Sequence, residues 1–235
     1  MKVDHSDYIH LLEEVEKVKG VKKVFIRSGI RFDYVLADKN DAFFKKLVRD
    51  HVSGQLKVAP EHCVDSVLHC MGKPSIETYN RFKKRFYSIT QSMGKEQYLV
   101  PYLMSSHPGS KLEDALELAL YLKENNINPE QVQDFYPTPG TASTCMFYSG
   151  VDPFTGKSVY VPRSYEEKQL QRALLQAYRP ENAAMVKKAL YKLGREDLIP
   201  VLLPYRKKTT EPQKQNKNKP KNHQKTKTND KRRRK

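Results

Sequence analysis

The apolar positions of this chain alternate between strand-like runs and helix-like spacing. Residues 98–104 form a nearly continuous apolar run, which is typical of a buried strand. A polar turn follows at 105–109, and apolar residues then recur at helical spacing over 112–122. Ser110 and Glu113 have the spacing of a capping box, so this helix is expected to begin at Ser110. The pattern predicts a strand, a tight turn and a capped helix.

The same alternation extends over the first 140 residues. Strands are predicted at 21–28, 55–59, 98–104 and 132–136. Helices are predicted at 6–20, 41–53, 64–71, 75–89 and 110–125. The first helix is expected to bury Tyr8, Leu11, Leu12, Val15 and Val18, and the helix at 75–89 to bury Tyr79, Phe82 and Phe86. Strands that alternate with helices at this spacing favour parallel pairing with right-handed helical crossovers. The predicted fold class is therefore α/β, with four parallel strands.

The pattern changes after residue 140. Residues 141–164 are rich in Tyr, Pro, Gly and Thr and have little periodicity, which predicts an irregular covering segment. Helices are predicted again at 166–178, 181–193 and 196–203. The predicted organisation has three parts, which are a region of alternating strands and helices at 1–140, a covering and helical region at 141–205 and a tail at 206–235.

Positive charge is concentrated in the tail. The whole chain carries a formal net charge of +16. Residues 206–235 hold 14 Lys and Arg against 2 Asp and Glu, whereas the first 205 residues hold 29 against 25. Because the tail has almost no apolar residues, it is expected to be disordered. It is expected to contact RNA or another polyanion weakly, or to act only as a solubilising extension, and both interpretations stay open.

The rest of the composition favours a cytoplasmic protein. The first 20 residues lack the apolar core of a signal peptide, and no run is long and apolar enough to span a membrane. Three irregularly spaced cysteines fit a reducing compartment.

A polar or Gly/Pro turn follows each predicted strand. The four turns read RSGIR, PEH, SSHPG and YPTPG. Because the carboxyl ends of parallel strands meet at one edge of a sheet, these turns are expected to form one rim, where α/β proteins bind ligands.

Several segments resemble the radical S-adenosylmethionine superfamily, and most closely its YgiQ-type proteins. The matching segments, in order, are VKKVFIRSGIRFDYVL, LKVAPEHCVDSVLHCMGKPSIETYNRF, GKEQYLVPYLMSSHPGSKLEDALELALYLK, QVQDFYPTPGTASTCMFYSG and QAYRPENAAMVKKALYKLGREDLIP. The resemblance covers residues 3–205. It implies a partial (βα) barrel that binds a [4Fe–4S] cluster and S-adenosylmethionine and generates a 5′-deoxyadenosyl radical, with the substrate unknown.

The family's cluster loop, Cys-x3-Cys-x2-Cys, is absent from this chain. Cys63 and Cys70 are separated by six residues and Cys145 is distant, so the cluster ligands are not present. The resemblance therefore implies the C-terminal half of the barrel, which is expected to be inactive alone. It also implies a complementary N-terminal half that carries the cluster and pairs with an open sheet edge.

The resemblance also implies where the cofactor would be contacted. Ser105, His107 and Gly109 occupy the turn that lies along S-adenosylmethionine in related families. Arg27 and Ser28 correspond to a strand end that contacts the methionine carboxylate or ribose. The remaining cofactor-binding candidates are Glu61, Tyr136 and Thr138, also at strand ends. No catalytic residue and no metal ligand is assigned.

Several of these residues have a plainer interpretation. Glu61 beside His62 could act as an acid/base pair, or could simply be a pair at a helix start. Arg27 could bind a ligand carboxylate, or could pair internally with Asp33 or Glu61. Both interpretations stay open for each group.

Two further alternatives concern the cysteines and the whole chain. Cys63 and Cys70 lie two helical turns apart and could bind a metal, although buried thiols are the plainer interpretation. The chain as a whole could be a catalytically inactive binding module whose basic tail engages RNA or another polyanion.

Overall fold

Residues 3–203 are described by a computed structural model, and about half of them are helical. The helices are α1 (Ser6–Lys17), α2 (Phe32–Ala37), α3 (Ala42–Lys46), α4 (Asp65–Cys70), α5 (Ile76–Ser92), α6 (Leu112–Glu124), α7 (Ala142–Ser149), α8 (Tyr165–Leu175), α9 (Ala183–Lys192) and α10 (Ile199–Leu202). A π-helical turn, Leu47–His51, continues α3, and 3₁₀ turns lie at Pro180–Asn182 and Glu196–Leu198. The predicted disordered tail lies outside the described residues.

The strands are β1 (Gln55–Glu61), β2 (Tyr98–Ser105) and β3 (Gln133–Asp134). They form a parallel sheet in the order β1-β2-β3. Helices α4 and α5 connect β1 to β2, and α6 connects β2 to β3. The α/β class and the parallel pairing of these three strands are thereby confirmed.

The strand predicted at 21–28 is wrong, because that segment forms no ladder. One parallel bridge, between Ile30 and Val58, aligns the extended chain with β1. The hydrogen bonds of the segment go to the π-helical turn instead. The Ile26 N–H donates to the His51 carbonyl (2.9 Å), and His51 Nδ1 donates to the Val24 carbonyl (2.8 Å). The segment is therefore anchored by a neighbouring helix rather than by the sheet.

Helix α7 lies in the segment that was predicted to be irregular. Thr141 caps its start by accepting a hydrogen bond from the Thr144 N–H at 3.2 Å. Gly150 ends it in the left-handed conformation. Helix α2 was also not predicted, although it buries Phe32 and Val35. Both helices are short; α7 is marked by its caps, whereas α2 has no side-chain cap and is held by its two buried apolar residues.

Two apolar clusters form the core. The first packs β1 against α2, α3 and α5, where the rings of Phe44 and Phe82 stack at 5.0 Å. Tyr79, Phe82 and Phe86 are buried there, as predicted. The second joins β2 and α6 to α8, α9 and α10 through Leu103, Leu118, Leu170, Leu174 and Leu190. This second cluster packs α8, α9 and α10 against β2, the strand that leads into the rim. The predicted boundary between two regions at residue 140 stays a prediction.

Helix α1 buries less than predicted. Leu12 is buried, but Leu11 and Val18 are exposed by 57% and 56%, and Val15 is also exposed. Leu11 and Val15 lie one turn apart on α1, and Val18 is the extended residue that directly follows its last turn. We call Leu11, Val15 and Val18 the α1 stripe.

Within residues 3–203, no helix combines the length and the apolar character needed to pass through a bilayer.

Candidate functional site

The carboxyl ends of β1, β2 and β3 lie side by side and form the predicted rim. After an irregularity in the register, Glu61 at the end of β1 aligns with Leu103 of β2. At the next pair of strands, Ser105 aligns with Asp134. Because the sheet is parallel, the turns that leave these strands open on the same side.

Glu61 is a half-buried carboxylate with unusual backbone geometry. Its φ of +67° lies in the left-handed region, which non-glycine residues rarely adopt. Its Oε1 lies 3.4 Å from Lys73 Nζ, and its Oε2 is buried without a hydrogen-bond partner among the described residues. Burial raises the pKa of this carboxyl, and the charge of Lys73 opposes the rise. The residue therefore presents a buried acceptor oxygen that nothing on the described chain uses.

Ser106 repeats this combination at the end of the neighbouring strand. Its φ is +62°, and its Oγ is buried without a partner among residues 3–203. Its N–H donates to Gln171 Oε1 at 3.0 Å. Backbone strain and an unsatisfied buried hydroxyl both cost stability, so their coincidence on adjacent strands marks the rim as a functional candidate.

The other polar residues of the rim satisfy one another. The Ser105 hydroxyl donates to Asp134 Oδ1 at 2.5 Å, and Arg172 Nη1 lies 2.8 Å from Asp134 Oδ2. The Phe135 N–H donates to the Ser105 carbonyl at 2.9 Å. This network ties the end of β2 to β3 and to α8.

His107 is buried and holds the turn in place. Only 3% of the residue is exposed to solvent. Nδ1 donates to the Pro108 carbonyl at 2.7 Å, so Nε2 accepts from the Ser143 hydroxyl at 2.8 Å. The ring also meets Phe135 edge-on, with 4.9 Å between centroids. Burial lowers the pKa of His107 to about 4, which leaves a neutral ring at pH 7.

His62 is a second buried neutral histidine near the rim. Burial, and secondarily the charge of His107, lowers its pKa to about 4. Its Nδ1 accepts from the Val64 N–H at 3.1 Å, which satisfies the start of α4. The carboxylate of Glu61 pairs with Lys73 instead of with this ring. The geometry therefore favours the plainer interpretation of the Glu61–His62 pair.

Gly109 allows a close approach between the turn and α4. Its φ is +94°, and its N–H donates to the Tyr160 carbonyl at 2.7 Å. An added Cβ would lie 2.8 Å from Cys70 Sγ and 3.2 Å from Cys70 Cβ. Both the backbone conformation and the space therefore require glycine here.

Four predicted cofactor contacts are exposed, unlike these buried groups. Arg27 and Ser28 are exposed, and they precede the bridge at Ile30, so they lie toward the start of β1. Tyr136 is 82% exposed, and Thr138 lies on the exposed loop that precedes α7. The structure thus places Glu61, Ser105, His107 and Gly109 at the carboxyl ends of β1 and β2. Tyr136 and Thr138 are exposed just beyond β3, whereas Arg27 and Ser28 lie toward the other end of β1. Their predicted roles stay predictions.

The internal partners suggested for Arg27 are taken by other residues. Asp33 pairs with Arg31, with an Arg31 Nη2–Asp33 Oδ2 distance of 2.6 Å. Glu61 pairs with Lys73. The internal salt bridge considered for Arg27 is therefore not formed.

Sequence reasoning missed several residues that build the rim. They are Lys73, Ser106, Asp134, Ser143, Gln171 and Arg172. Asp134 was visible as a polar residue within a predicted strand. Gln171 was not, because a buried glutamine in a helix leaves no mark in the pattern of apolar residues.

The cysteines do not form the ligand set of a cluster. Burial raises the pKa of the Cys63 thiol to about 12, and burial also raises the pKa of Cys70. Cys145 is exposed. In the part of the chain from residue 3 to residue 203, no group of three or more His, Cys, Asp or Glu side chains is placed to hold a metal ion. These residues do not fit a [4Fe–4S] cluster.

Comparisons with known proteins identify relatives that are much longer than this chain. A UPF0313 protein of Clostridium perfringens (strain ATCC 13124) is 63% identical over 199 residues, which are 85% of this chain and 30% of that protein. A UPF0313 protein of Clostridium botulinum (strain 657) is 56% identical over 209 residues, which are 87% of this chain and 33% of that protein. The chain spans about a third of the length of these relatives.

A family model also matches the C-terminal region. It is described as "Domain of unknown function (DUF3362)" and covers residues 130–235. It begins just before β3 and includes the helices that pack behind the rim. Together with the high identity to the clostridial proteins, this agrees with the expected C-terminal part of a YgiQ-type sequence. The chain is therefore similar to one part of the UPF0313 proteins.

Proposed function

We propose that this chain supplies the wall that faces S-adenosylmethionine and the substrate in a radical S-adenosylmethionine enzyme of the UPF0313 family. The resemblance of the rim segments to YgiQ-type proteins supports the reaction class. The parallel sheet with its carboxyl-end rim is compatible with part of a (βα) barrel.

One observation carries the proposal. Glu61 and Ser106 end adjacent parallel strands, both have left-handed backbones, and each keeps a buried polar atom without a partner among the described residues. Such groups cost stability unless something else pairs with them. A bound ligand with hydroxyl and amino donors would supply the missing hydrogen bonds.

The residues of this chain would bind and orient the cofactor. The Glu61 Oε2 would accept from a hydroxyl or amino group of S-adenosylmethionine, and the Ser106 hydroxyl would bond beside it. Ser105 and His107, whose polar atoms are already paired, would hold the turn rigid. When bound, S-adenosylmethionine supplies the radical precursor. The cluster does not fit the described residues of this chain.

A complementary polypeptide would complete the site. The extended segment beside β1 has a single sheet bridge, so the sheet is open on that side. The α1 stripe is exposed on a helix that immediately precedes this segment in the chain. Open edges and apolar stripes both invite a partner. We propose that the remaining part of a UPF0313 protein, carrying the cluster cysteines, docks there.

Two measurements test this proposal. In calorimetry with S-adenosylhomocysteine, the chain mixed with the remaining part of the C. perfringens relative should bind saturably. Glu61→Gln should weaken binding by about tenfold, because a hydrogen bond to a charged group is lost. Glu96→Gln, an exposed carboxylate before β2, is the matched control and should bind normally.

The partner is tested by co-expression of the same two polypeptides. Copurification with the absorbance of an iron–sulfur cluster would support the docking, and Val15→Lys with Val18→Lys should abolish copurification. If the two polypeptides do not associate, the partner proposal fails. If they associate but E61Q and E96Q bind S-adenosylhomocysteine equally, the rim assignment fails.

The second candidate function rests on the charge of the tail. Residues 206–235 carry 14 basic and 2 acidic residues, a ratio typical of segments that bind polyanions. We propose weak RNA binding through this tail, either as a tether for the enzyme or as the function of an inactive module. A strong dependence of RNA binding on salt concentration would distinguish binding by the tail from ligand binding at the rim.

A further inference from the structure

A cavity of about 570 Å³ opens near the starts of the strands, at the opposite end from the rim. It lies between the first residues of β1 and β2, the helix α5 and the loop at 125–131. Its volume is within the range of small-molecule sites. None of the rim residues Glu61, Ser105, Ser106 or His107 lines it, so it is a separate feature of the fold.

Two lysines give the cavity a positive charge. Lys83 is half-buried on α5, and its Nζ donates to Asn125 Oδ1 at 2.7 Å. Lys57 projects from β1, with its Nζ 5.7 Å from the centroid of the Tyr102 ring. Neither lysine forms an ion pair within residues 3–203. Glu130, which is exposed, is the one carboxylate among the described residues that line the cavity.

Partial burial disfavours the charged form of Lys83, and no carboxylate among the described residues pairs with it to offset this effect. Burial lowers the pKa of Lys83, because the ammonium group is partly removed from water. Asn125 offers a neutral acceptor for one of three N–H groups, so two donors stay available to a ligand. An anion bound here would restore the interactions that the ammonium group loses on burial.

The remaining lining combines tyrosine and aliphatic side chains with the amides Gln55, Asn126, Asn128 and Gln131. The rings of Tyr79, Tyr87 and Tyr102 line the cavity together with Leu99 and Pro101. The Tyr87 hydroxyl accepts from the Leu99 N–H at 3.3 Å, which fixes the ring against the start of β2. Tyrosine rings beside amide side chains offer a small ring compound both an apolar contact surface and hydrogen-bond partners.

We propose that this cavity binds a phosphate ester of an aromatic ring compound. Lys57 and Lys83 approach from a strand and from a helix, so they suit an anion whose oxygen atoms point in several directions. Lysine binds phosphate as a point charge without demanding a planar geometry. The rings of Tyr87 and Tyr102 hold the planar part of the ligand.

The test is a titration of the full chain with phenyl phosphate, measured by calorimetry at low salt. Saturable binding is expected, and inorganic phosphate and phenol, which carry one half of the ligand each, should bind more weakly. Lys83→Met and Lys57→Met should each weaken phenyl phosphate binding by about tenfold. Lys84→Met is the matched control, because Lys84 is exposed on the same helix and does not line the cavity.

The result can overturn the proposal in three ways. Absence of saturable binding, equal losses in K83M and K84M, or binding of inorganic phosphate as tight as that of phenyl phosphate would each contradict it. If K83M does not fold, changes in the amide chemical shifts of the wild-type chain on addition of phenyl phosphate show where the ligand binds. Shifts at 99–102 and 125–131 would support the cavity, and shifts confined to Ser105 and His107 would place the ligand at the rim and reject the proposal.

Discussion

His62 and His107 show how burial controls charge at single residues of the rim. Both pKa values are lowered to about 4, so both rings are neutral where an exposed histidine would begin to take up a proton. His62 Nδ1 accepts a hydrogen bond from the Val64 N–H and therefore carries no proton, whereas His107 Nδ1 donates to the Pro108 carbonyl. Protonation of His62 at Nδ1 would therefore break its hydrogen bond to Val64.

The first prediction concerns the pH dependence of stability. The pKa of His62 is lower in the folded chain than in the unfolded chain, so the unfolded state binds more protons between pH 6.5 and 4. The contribution of His62 is complete above pH 6.5 and declines as the pH falls toward 4. The decline should be on the order of 1 to 3 kcal/mol.

His62→Asn provides the comparison, because an asparagine oxygen can replace Nδ1 as the acceptor for the Val64 N–H. Glu61 and His107 titrate in both proteins, so their effects cancel to first order. Urea unfolding at several pH values should show a difference in free energy between wild type and H62N that shrinks on acidification. A pH-independent difference would contradict a neutral buried His62.

The second prediction concerns Gly109, where backbone and space act together. Gly109→Ala should destabilise the chain by about 1 to 3 kcal/mol, because alanine disfavours a left-handed backbone and its Cβ would crowd Cys70. Gly54→Ala is the control, since its φ of +113° is also positive but its added Cβ meets nothing within 4 Å. Thermal and urea unfolding measure both.

A double-mutant cycle separates the two causes at Gly109. In a Cys70→Ala background the sulfur is removed, so the cost of G109A should fall while the cost of G54A stays the same. If Cys70→Ala leaves the cost of G109A unchanged, backbone strain alone explains the requirement for glycine.

At the scale of elements, Gln171 joins α8 to the turn after β2. This residue is fully buried. Its Oε1 accepts from the Ser106 N–H (3.0 Å) and the Ser110 hydroxyl (3.1 Å), and its Nε2 donates to the Ser110 carbonyl (3.0 Å). One side chain from a later helix thus supplies hydrogen bonds that the rim turn lacks internally.

The third prediction is that Gln171→Leu destabilises the chain by about 2 to 4 kcal/mol, because several buried polar groups of the turn lose their partner. Gln169→Leu is the matched control, because Gln169 is exposed on the same helix and should change stability by about 0.5 kcal/mol or less. Urea unfolding gives both values. Equal effects of Q171L and Q169L would show that the turn is held by other contacts.

The start of α6 shows why part of the fold could not be predicted from the sequence. The apolar periodicity of β2 and α6 is local, and it correctly predicted both elements. The cap of α6 was predicted at Ser110, but the helix begins at Leu112, where the Lys111 N–H donates to Asp114 Oδ2 at 2.7 Å. The Ser110 hydroxyl is instead bonded to Gln171, 61 residues away. A tertiary partner overrode the local motif.

The candidate site, like the fold, was predictable from the sequence only in part. Parallel strands predicted a shared rim, and Glu61, Ser105, His107 and Gly109 lie there. The positive φ angles of Glu61 and Ser106 have no sequence signature, since neither residue type marks a left-handed turn. The placement of Arg27 and Ser28 depended on a strand at 21–28, which the competing hydrogen bonds to His51 prevent.

For the whole molecule, the distribution of charge separates the tail from the rest of the chain. The fourth prediction is that deletion of residues 206–235 removes most binding to polyuridylate RNA. For the intact chain, the logarithm of the binding constant should fall linearly with the logarithm of salt concentration, because counterions are released. Filter binding at several salt concentrations measures the slope.

The control for the tail replaces its lysines and arginines with glutamines at constant length. This variant should lose RNA binding as the deletion does, because charge rather than length provides the affinity. Unfolding of both variants should match that of the intact chain. Retention of salt-sensitive binding after the deletion would assign the RNA contact to residues 1–205.

The order of the sheet also has a consequence for how the chain folds during synthesis. Each strand pairs in parallel with the strand that precedes it, so the spatial order β1-β2-β3 equals the order in which the strands leave the ribosome. Once β2 and its connecting helices have emerged, they can pair with β1 without waiting for distant sequence. The late helix α8 then locks the turn through Gln171. The rim is the last feature to be completed, after the sheet that supports it already exists.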